Sequence, residues 1–365
     1  MKVMIQRRLG SCLSGLILLG TILMMPLALG VALAPLHLVR SEFPSDAGTT
    51  AFNYSPSLAQ TAGGLILVWV GGSGVDSPDA SVYLTRLGGD TWSQPTKVAS
   101  VVHPRTLVQT PCQRPVLFKP TNGPLLLFYK TVKARHQTVS YVTTSRDNGI
   151  TWFKPKTLPR SIFGPARTKP IELPTGVLLC GSDTHKAGWR FHIERATAFR
   201  DTLSWTRTRD LSLAMLHNAS EPVLLDYGGG NIQALCRTKR GYVVETWSDN
   251  HGETWSAVER TMLPNPDSGL DAIRLDEQQH AVVYQHSNRE RGVLNLAVTE
   301  DGKQWAAAAV LEHQPDSHFS DPSIVLGADG NLHLVYSVNH QRVKYIVTDP
   351  DQLSPVSMVG GNWPY

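Results

Sequence analysis

The sequence predicts an all-β fold, a six-bladed β-propeller, and three observations predict it. A tryptophan recurs every 50 to 60 residues: Trp92, Trp152, Trp205, Trp255 and Trp305 stand 60, 53, 50 and 50 residues apart. A second repeat runs in step with it, in which a polar or charged residue precedes a proline and an apolar run, followed by a Gly-containing turn and a second apolar run. Its instances are Ser55-Pro56, Arg114-Pro115, Lys169-Pro170, Glu221-Pro222, Asp271-Ala272 and Asp321-Pro322, with second positions 59, 55, 52, 50 and 50 residues apart. Finally, no stretch beyond residue 40 sustains a 3.6-residue apolar period long enough for a helix. A fixed period of this size in a strand-rich chain means one supersecondary unit copied and stacked. Six units of about four strands suit radial repetition, which leaves only short, protected edges. The units are too short to be immunoglobulin-type sandwiches of about 100 residues.

At the N-terminus, Lys2, Arg7 and Arg8 precede a stretch without Asp, Glu, Lys or Arg from Leu9 to Val39, apolar from Leu13 to about Leu36. It ends near Ala32-Leu33-Ala34, an A-x-A cleavage pattern, so residues 1–34 are expected to be an export signal. The apolar stretch, residues 13–36, is also long enough to span a bilayer, which leaves an uncleaved inner-membrane anchor as the alternative. Residues 45–350 are expected to form the propeller, and 351–365 a C-terminal tail. Without residues 1–34 the chain carries 31 Lys+Arg against 30 Asp+Glu, a net of +1, so the basic character belongs to the signal. No footprint for nucleic acid is left.

Within the units the strands are legible as short β-branched and aromatic runs bounded by Gly, Pro, Asn and Asp. They include residues 176–181 and 190–196 of the third unit, 231–237 and 242–248 of the fourth, and 331–337 and 343–348 of the sixth. Most of the tryptophans end one phrase: SRDNGITW at 145–152, SDNHGETW at 248–255, TEDGKQW at 299–305 and GDTW at 89–92. Its Asp and Ser side chains suit hydrogen bonds to nearby backbone N–H groups, its Gly supplies φ > 0, and its Trp anchors the turn onto a sheet. The phrase therefore identifies a fold and not a chemistry. Cys112, Cys180 and Cys236 make an odd number in an exported chain, and Cys180 and Cys236 read as buried small apolar residues on equivalent strands. No metal-ligand spacing stands out; His185 and His192 read as residues flanking a strand. No cofactor is implied.

The repeats and several further phrases resemble the bacterial sialidases and sialidase-like proteins built from Asp-box (BNR) repeats. The resemblance covers about residues 50–348. Beyond the boxes it rests on Gly71-Gly72…Asp79, RPVLF at 114–118, LLLFYK at 125–130, GPARTKPI at 164–171, GWRFHIE at 188–194, PNPDSGLD at 264–271 and RERGVLNLA at 289–297. It implies a six-bladed propeller of the sialidase type and a glycan partner. True sialidases hold the substrate carboxylate with three arginines, and use an Asp as acid/base and a Tyr nucleophile activated by a Glu, an exception to the two-carboxylate rule. The resemblance implies the Asp to be Asp79, the Glu to be Glu221, and the second and third arginines to be Arg237 and Arg291. The first arginine falls on Tyr54 and the nucleophile on Phe319, so those two roles fail. Tyr54 cannot form the bidentate, charge-assisted pair of an arginine, and a phenyl ring is no nucleophile.

The repeat offers a second reading of the site. Ser55, Arg114, Lys169, Glu221, Asp271 and Asp321 precede the first strand of their units and are expected at one end of the central channel. Five of the six are ionisable, and convergent opposite charges in a cleft suit acid/base work on a polar ligand. Arg237 and Arg291 would add donors; Arg274 reads as a surface residue. Trp69, Trp189 and Tyr336 are candidates for stacking on sugars, although each such residue is more often core. The expectation is an exported glycoside hydrolase acting on a terminal anionic or polyhydroxylated sugar. Asp79 and Glu221 would move protons, and Arg114, Lys169, Arg237, Asp271, Arg291 and Asp321 would bind substrate. A catalytically silent glycan-binding or envelope-scaffold propeller is the alternative, followed by a polysaccharide lyase.

Overall fold

The computed structural model describes residues 33–364 except 49, 103–106, 134–136, 186–187, 200–201 and 214. All but the last two residues of the expected export segment lie outside the described residues. The described chain forms six antiparallel sheets of four or five strands, taken in sequence order as blades 1 to 6, and a two-stranded pair, Val101–Val102 with Gln109–Thr110. The first strands of the blades are Phe52–Thr61, Cys112–Phe118, Ile171–Glu172, Ala219–Asp226, Asp271–Arg274 and Phe319–Leu326. In blades 1 to 5 each is followed by at least three more strands in order; in blade 4 these are Ile232–Thr238, Tyr242–Ser248 and Glu259–Pro264. The strands expected in units three, four and six lie within three residues of those observed at each end.

Blade 6 takes its outermost strand from the other end of the chain. Leu38–Glu42 pairs antiparallel with Arg342–Thr348, so the N-terminal flank closes the ring. After residue 350 the chain returns to blade 5, where Val356–Ser357 adds to the sheet and Met358 and Trp363 are buried in the core. The propeller therefore draws on both flanks of the expected 45–350 domain, the tail chiefly through Met358 and Trp363.

The core is a ring of apolar clusters between neighbouring blades. Leu58, Leu67 and Trp69 of blade 1 meet Val335, Val343 and Tyr345 of blade 6. Val223, Leu235 and Leu263 of blade 4 meet Tyr284, Trp305 and Ala307 of blade 5. The other four junctions are filled in the same way. Full burial of each such side chain contributes about 1.5–3 kcal/mol, so no blade is stable by itself. Trp69 and Tyr336, considered as sugar platforms, belong to this core: both are fully buried, Trp69 donating to Asn53 Oδ1 at 2.7 Å and Tyr336 to Glu312 Oε1 at 2.6 Å.

The recurrent phrase closes the third strand onto the fourth. In the first complete copy Asp147 accepts from the backbone N–H of Ile150 and Thr151 at 3.1 and 2.8 Å, and Ser145 Oγ accepts from Gly149 N at 2.8 Å. Asn250 substitutes for the aspartate, accepting from Thr254 N at 2.9 Å. In the copy one residue shorter, Asp301 reaches Lys303 N and Gln304 N at 2.8 and 2.7 Å. The glycine is needed twice over. Gly252 has φ +76°, and a Cβ there would lie 2.6 Å from Leu179 Cδ1 of the preceding blade. The turn thus rests against its neighbour as well as capping its own sheet. Cys112, Cys180 and Cys236 are unpaired and buried, and burial pushes their thiols up, that of Cys112 to about 12.

Candidate active site

In blades 1, 2, 4 and 6 the residue before the proline is left-handed. Ser55, Arg114, Glu221 and Asp321 have φ of 52°, 49°, 55° and 53°. Proline disfavours the right-handed helical region for the residue before it and cannot donate to a ladder. The pairing with the second strand slips at each of these points, making a β-bulge. A bulge bends the strand and re-aims the side chain. Lys169 and Asp271 lack this geometry: blade 3's first strand begins only at Ile171, and Asp271 precedes alanine and pairs without a slip.

The contacts nevertheless join Arg114, Glu221 and Asp321 in one cluster and Lys169 to Asp271 in a pair, whereas Ser55 bonds Ser337 through its N–H. Glu221 is the hub of the cluster. Its Oε1 accepts from Arg237 Nη2 at 2.8 Å and lies 3.3 Å from Arg114 Nη2, and its Oε2 accepts from Arg167 Nε at 3.1 Å. The same Nε lies 3.7 Å from Asp321 Oδ1, so Glu221 and Asp321 are neighbours across one guanidinium. Arg114 also bonds Asp183, at 3.2 and 3.3 Å. Lys169 pairs with Asp271, whose Oδ2 also accepts from Ile324 N of blade 6. Arg237 bonds Asp267 Oδ1 at 3.0 Å, and Arg291 donates to the carbonyl of Asp267 at 2.6 Å and meets His318 at 3.1 Å. Arg274, at the surface, bonds the carbonyls of its own turn.

Burial by itself would raise the carboxyl of Glu221, but Arg237, Arg114 and Arg167 more than offset it and hold it at about 2. Burial likewise acts against the charge on Asp183, and Arg114, His185 and Lys130 hold it well below the usual carboxylate range. A carboxyl so held has little tendency to take a proton near neutral pH. Glu221 is therefore an anionic anchor for three guanidiniums, a different role from the proton carrier expected of it. Lys130, 5% exposed, is pushed down by its burial, partly offset by Asp183.

Asp79 does not join this cluster. It is exposed on the loop after Gly72, and its carboxylate accepts from Ser73 Oγ and Ser77 Oγ at 2.9 and 2.6 Å, bonds that draw its proton affinity down. The carboxylate of that loop that reaches the first strands is Asp76: Tyr54 Oη accepts from its N–H at 2.9 Å, and Gln113 bonds its Oδ1 at 2.7 Å. Tyr54 stays a neutral phenol, its burial pushing the hydroxyl up. Phe319 is 1% exposed and packs edge-on against Tyr336 in the core of blades 5 and 6. The residue of that strand that reaches the channel is Asp321, whose side chain is 22% exposed.

Arg167 was missed by the sequence reading. It lies before the short first strand of blade 3, at no repeat position. Its guanidinium donates to the carbonyls of Leu270 and Pro322 at 2.8 and 3.2 Å, tying blades 5 and 6 to Glu221 of blade 4. It fits because residue 269 is glycine: a Cβ there would lie 2.5 Å from Arg167 Nη2. Asp183, Lys130, Asp76 and His318 were missed for the same reason, since they occupy second strands and loops outside the repeat. Trp189 is half-buried, with Arg237 and Lys239 at 4.5 and 4.4 Å from its ring and His185 stacked on it at 5.2 Å. Its ring holds these side chains in place rather than lying open to a sugar. His192 is buried and bonded to Glu194 at 2.9 Å.

The sequence model of the BNR repeat-like domain matches residues 63–334. No curated protein matches the chain. Among solved structures the chain is similar to the NanB sialidase of Streptococcus pneumoniae, with a TM-score of 0.67 at 13% identity over 88% of this chain and 71% of that one. It is similar to the intramolecular trans-sialidase of Ruminococcus gnavus, with a TM-score of 0.67 at 13% identity over 86% and 97%. A Dyadobacter fermentans protein of unknown function gives 0.69 at 16% identity over 86% and 99%. At these identities the likeness is one of fold. The family match spans well over half of the chain, which therefore belongs to the BNR repeat-like family and carries it on a six-bladed propeller of the sialidase type.

Proposed function

We propose that the protein is an exported glycoside hydrolase acting on a glycan whose terminal sugar carries a carboxylate or many hydroxyls. The observation that carries this reading is Asp321: a partly exposed carboxylate on a left-handed residue, beside Arg167 and across it from Glu221. Its partial exposure distinguishes it from the buried, guanidinium-bound carboxylates of Glu221 and Asp183. In the proposed reaction Asp321 takes a proton from the attacking water. Arg114, Arg237, Arg291 and Lys169 line the mouth and offer donors to the sugar. The matched sialidases support a glycan as the partner, and Lys2, Arg7 and Arg8 ahead of the apolar stretch support export. Ordinary sialosides are poor candidates, because Tyr54 and Phe319 occupy the places of an arginine and of the nucleophile.

A second reading, a glycan-binding propeller without catalysis, is favoured by one observation. The guanidiniums already bond Asp183, Glu221 and Asp267, so the cluster is largely neutralised from within. A screen of the protein against fluorogenic sialosides, uronides and neutral glycosides decides between them. Turnover lost in Asp321→Asn supports the hydrolase. Binding without turnover supports the second reading, and turnover unaffected by Asp321→Asn refutes the role of that carboxylate.

A further inference from the structure

The site needs a group that gives a proton to the departing oxygen, and neither Glu221 nor Asp183 is able to. At the mouth, between the second and third strands of blade 3, stands His185, its side chain 40% exposed. Its Nε2 lies 3.1 Å from Ser220 Oγ and 3.5 Å from Asp183 Oδ2. Ser220, fully buried beside Glu221, donates to Asp183 Oδ2 at 2.6 Å.

This chain of bonds fixes the tautomer. A serine hydroxyl has one proton, and here the ionised carboxylate of Asp183 takes it. Toward the imidazole, Ser220 Oγ can then only accept, and Asp183 can only accept as well. Both neighbours of Nε2 therefore require Nε2–H. Nδ1 is left as the position where a proton comes and goes, and among the described residues it has no bonding partner. The ring is oriented by its stack on Trp189, itself flanked by Arg237 and Lys239. The charge facing the imidazole is the carboxylate of Asp183, on which Arg114 and Lys130 act in turn, while Arg237 and Lys239 lie over the Trp189 ring that it stacks on.

We propose that His185 is the proton donor of this site, its tautomer set by the Ser220–Asp183 pair; the proposal rests on the hydrolase reading above. The imidazolium Nδ1–H bond breaks and its proton passes to the glycosidic oxygen as that oxygen leaves the anomeric carbon. Water forms the new bond to the carbon and loses a proton to Asp321. Solvent then reprotonates His185 and deprotonates Asp321.

Two measurements test it. The first compares wild type with His185→Gln on 4-methylumbelliferyl and 2,4-dinitrophenyl glycosides of sialic, glucuronic and neutral sugars. A general acid contributes roughly 10²–10⁴-fold, and a dinitrophenolate needs no proton to leave. The variant is expected to lose at least a hundredfold in kcat/KM on the methylumbelliferyl glycoside and less than tenfold on the dinitrophenyl one. It should also lose the alkaline limb of the pH profile. An equal loss on both, or an unchanged pH profile, overturns the proposal while leaving the hydrolase reading intact. No turnover of any glycoside by wild type overturns both. The second measurement reads the tautomer without activity, from ¹H–¹⁵N correlations of the histidine rings in the full chain. His185 is expected as Nε2–H when neutral, with a mixed tautomer in Ser220→Ala; an Nδ1–H ring in wild type overturns the proposal.

Discussion

Replacing Glu221 by glutamine keeps the shape of the side chain and removes the one charge that three arginines share. Arg237, Arg114 and Arg167 then face a neutral amide, with Glu221's site 4% exposed and Arg167 3% exposed. Breaking a buried pair from one side costs about 3–5 kcal/mol when the partner charge is left uncompensated. Here Arg114 keeps Asp183 and Arg237 keeps Asp267, so Arg167 bears most of the loss and the lower end applies. The pH dependence gives an independent value. The carboxyl stands at about 2 in the folded protein, against ~4.3 for an unperturbed glutamate. At about 1.4 kcal/mol per unit this is roughly 3 kcal/mol of stability at neutral pH. The sign follows from the depressed value. The contribution is complete above the unfolded range near pH 4.3 and is lost as pH falls toward 2. Urea unfolding of wild type and Glu221→Gln, followed by tryptophan fluorescence from pH 8 to pH 2.5, should show a constant gap of about 3 kcal/mol down to pH 5. Below that the gap should close. A variant within 1 kcal/mol of wild type, or a gap that persists at pH 2.5, would refute the hub.

Three further outcomes are expected. Gly252→Ala puts a Cβ on a left-handed residue and against Leu179, and should cost about 1–3 kcal/mol in urea unfolding without changing substrate binding. Trp305→Ala empties a buried position between blades 4 and 5 and should cost about 3–5 kcal/mol by the same assay. Cys112, Cys180 and Cys236, each fully buried, should escape a thiol-modifying reagent in the native protein and be labelled only in denaturant, as read by peptide mapping.

The sequence carries much of the fold because each blade repeats the same local physics. An Asx-type turn with a left-handed glycine and an anchoring tryptophan needs fixed residues at fixed spacing, so it survives as a legible phrase. The closure of blade 6 by Leu38–Glu42 is not legible in that way. It is a pairing across some 300 residues between two unremarkable strands, and no local pattern marks it. The tail is similar: Val356–Ser357 pairs over two residues only. Within the site, the repeat located Arg114, Glu221 and Asp321, since each precedes a proline at a bulge. Arg167 lies in a segment with almost no strand, and its importance comes from three carbonyl and carboxylate partners in blades 4, 5 and 6.

The bulges also separate what the architecture repeats from the side chains it presents. Ser55, Arg114, Glu221 and Asp321 share one backbone conformation within a few degrees, yet carry a hydroxyl, a guanidinium and two carboxylates. What these four blades share is the proline, the left-handed residue before it and the slip; the side chain itself is not part of that pattern. Phe319 makes the point from the other side. It falls three residues before Pro322, in a stretch that is regular strand, and its ring goes to the core. Its neighbour at the bulge, Asp321, instead keeps a partly exposed carboxylate beside Arg167. The propeller decides which positions reach the channel, and the residues at those positions decide the chemistry.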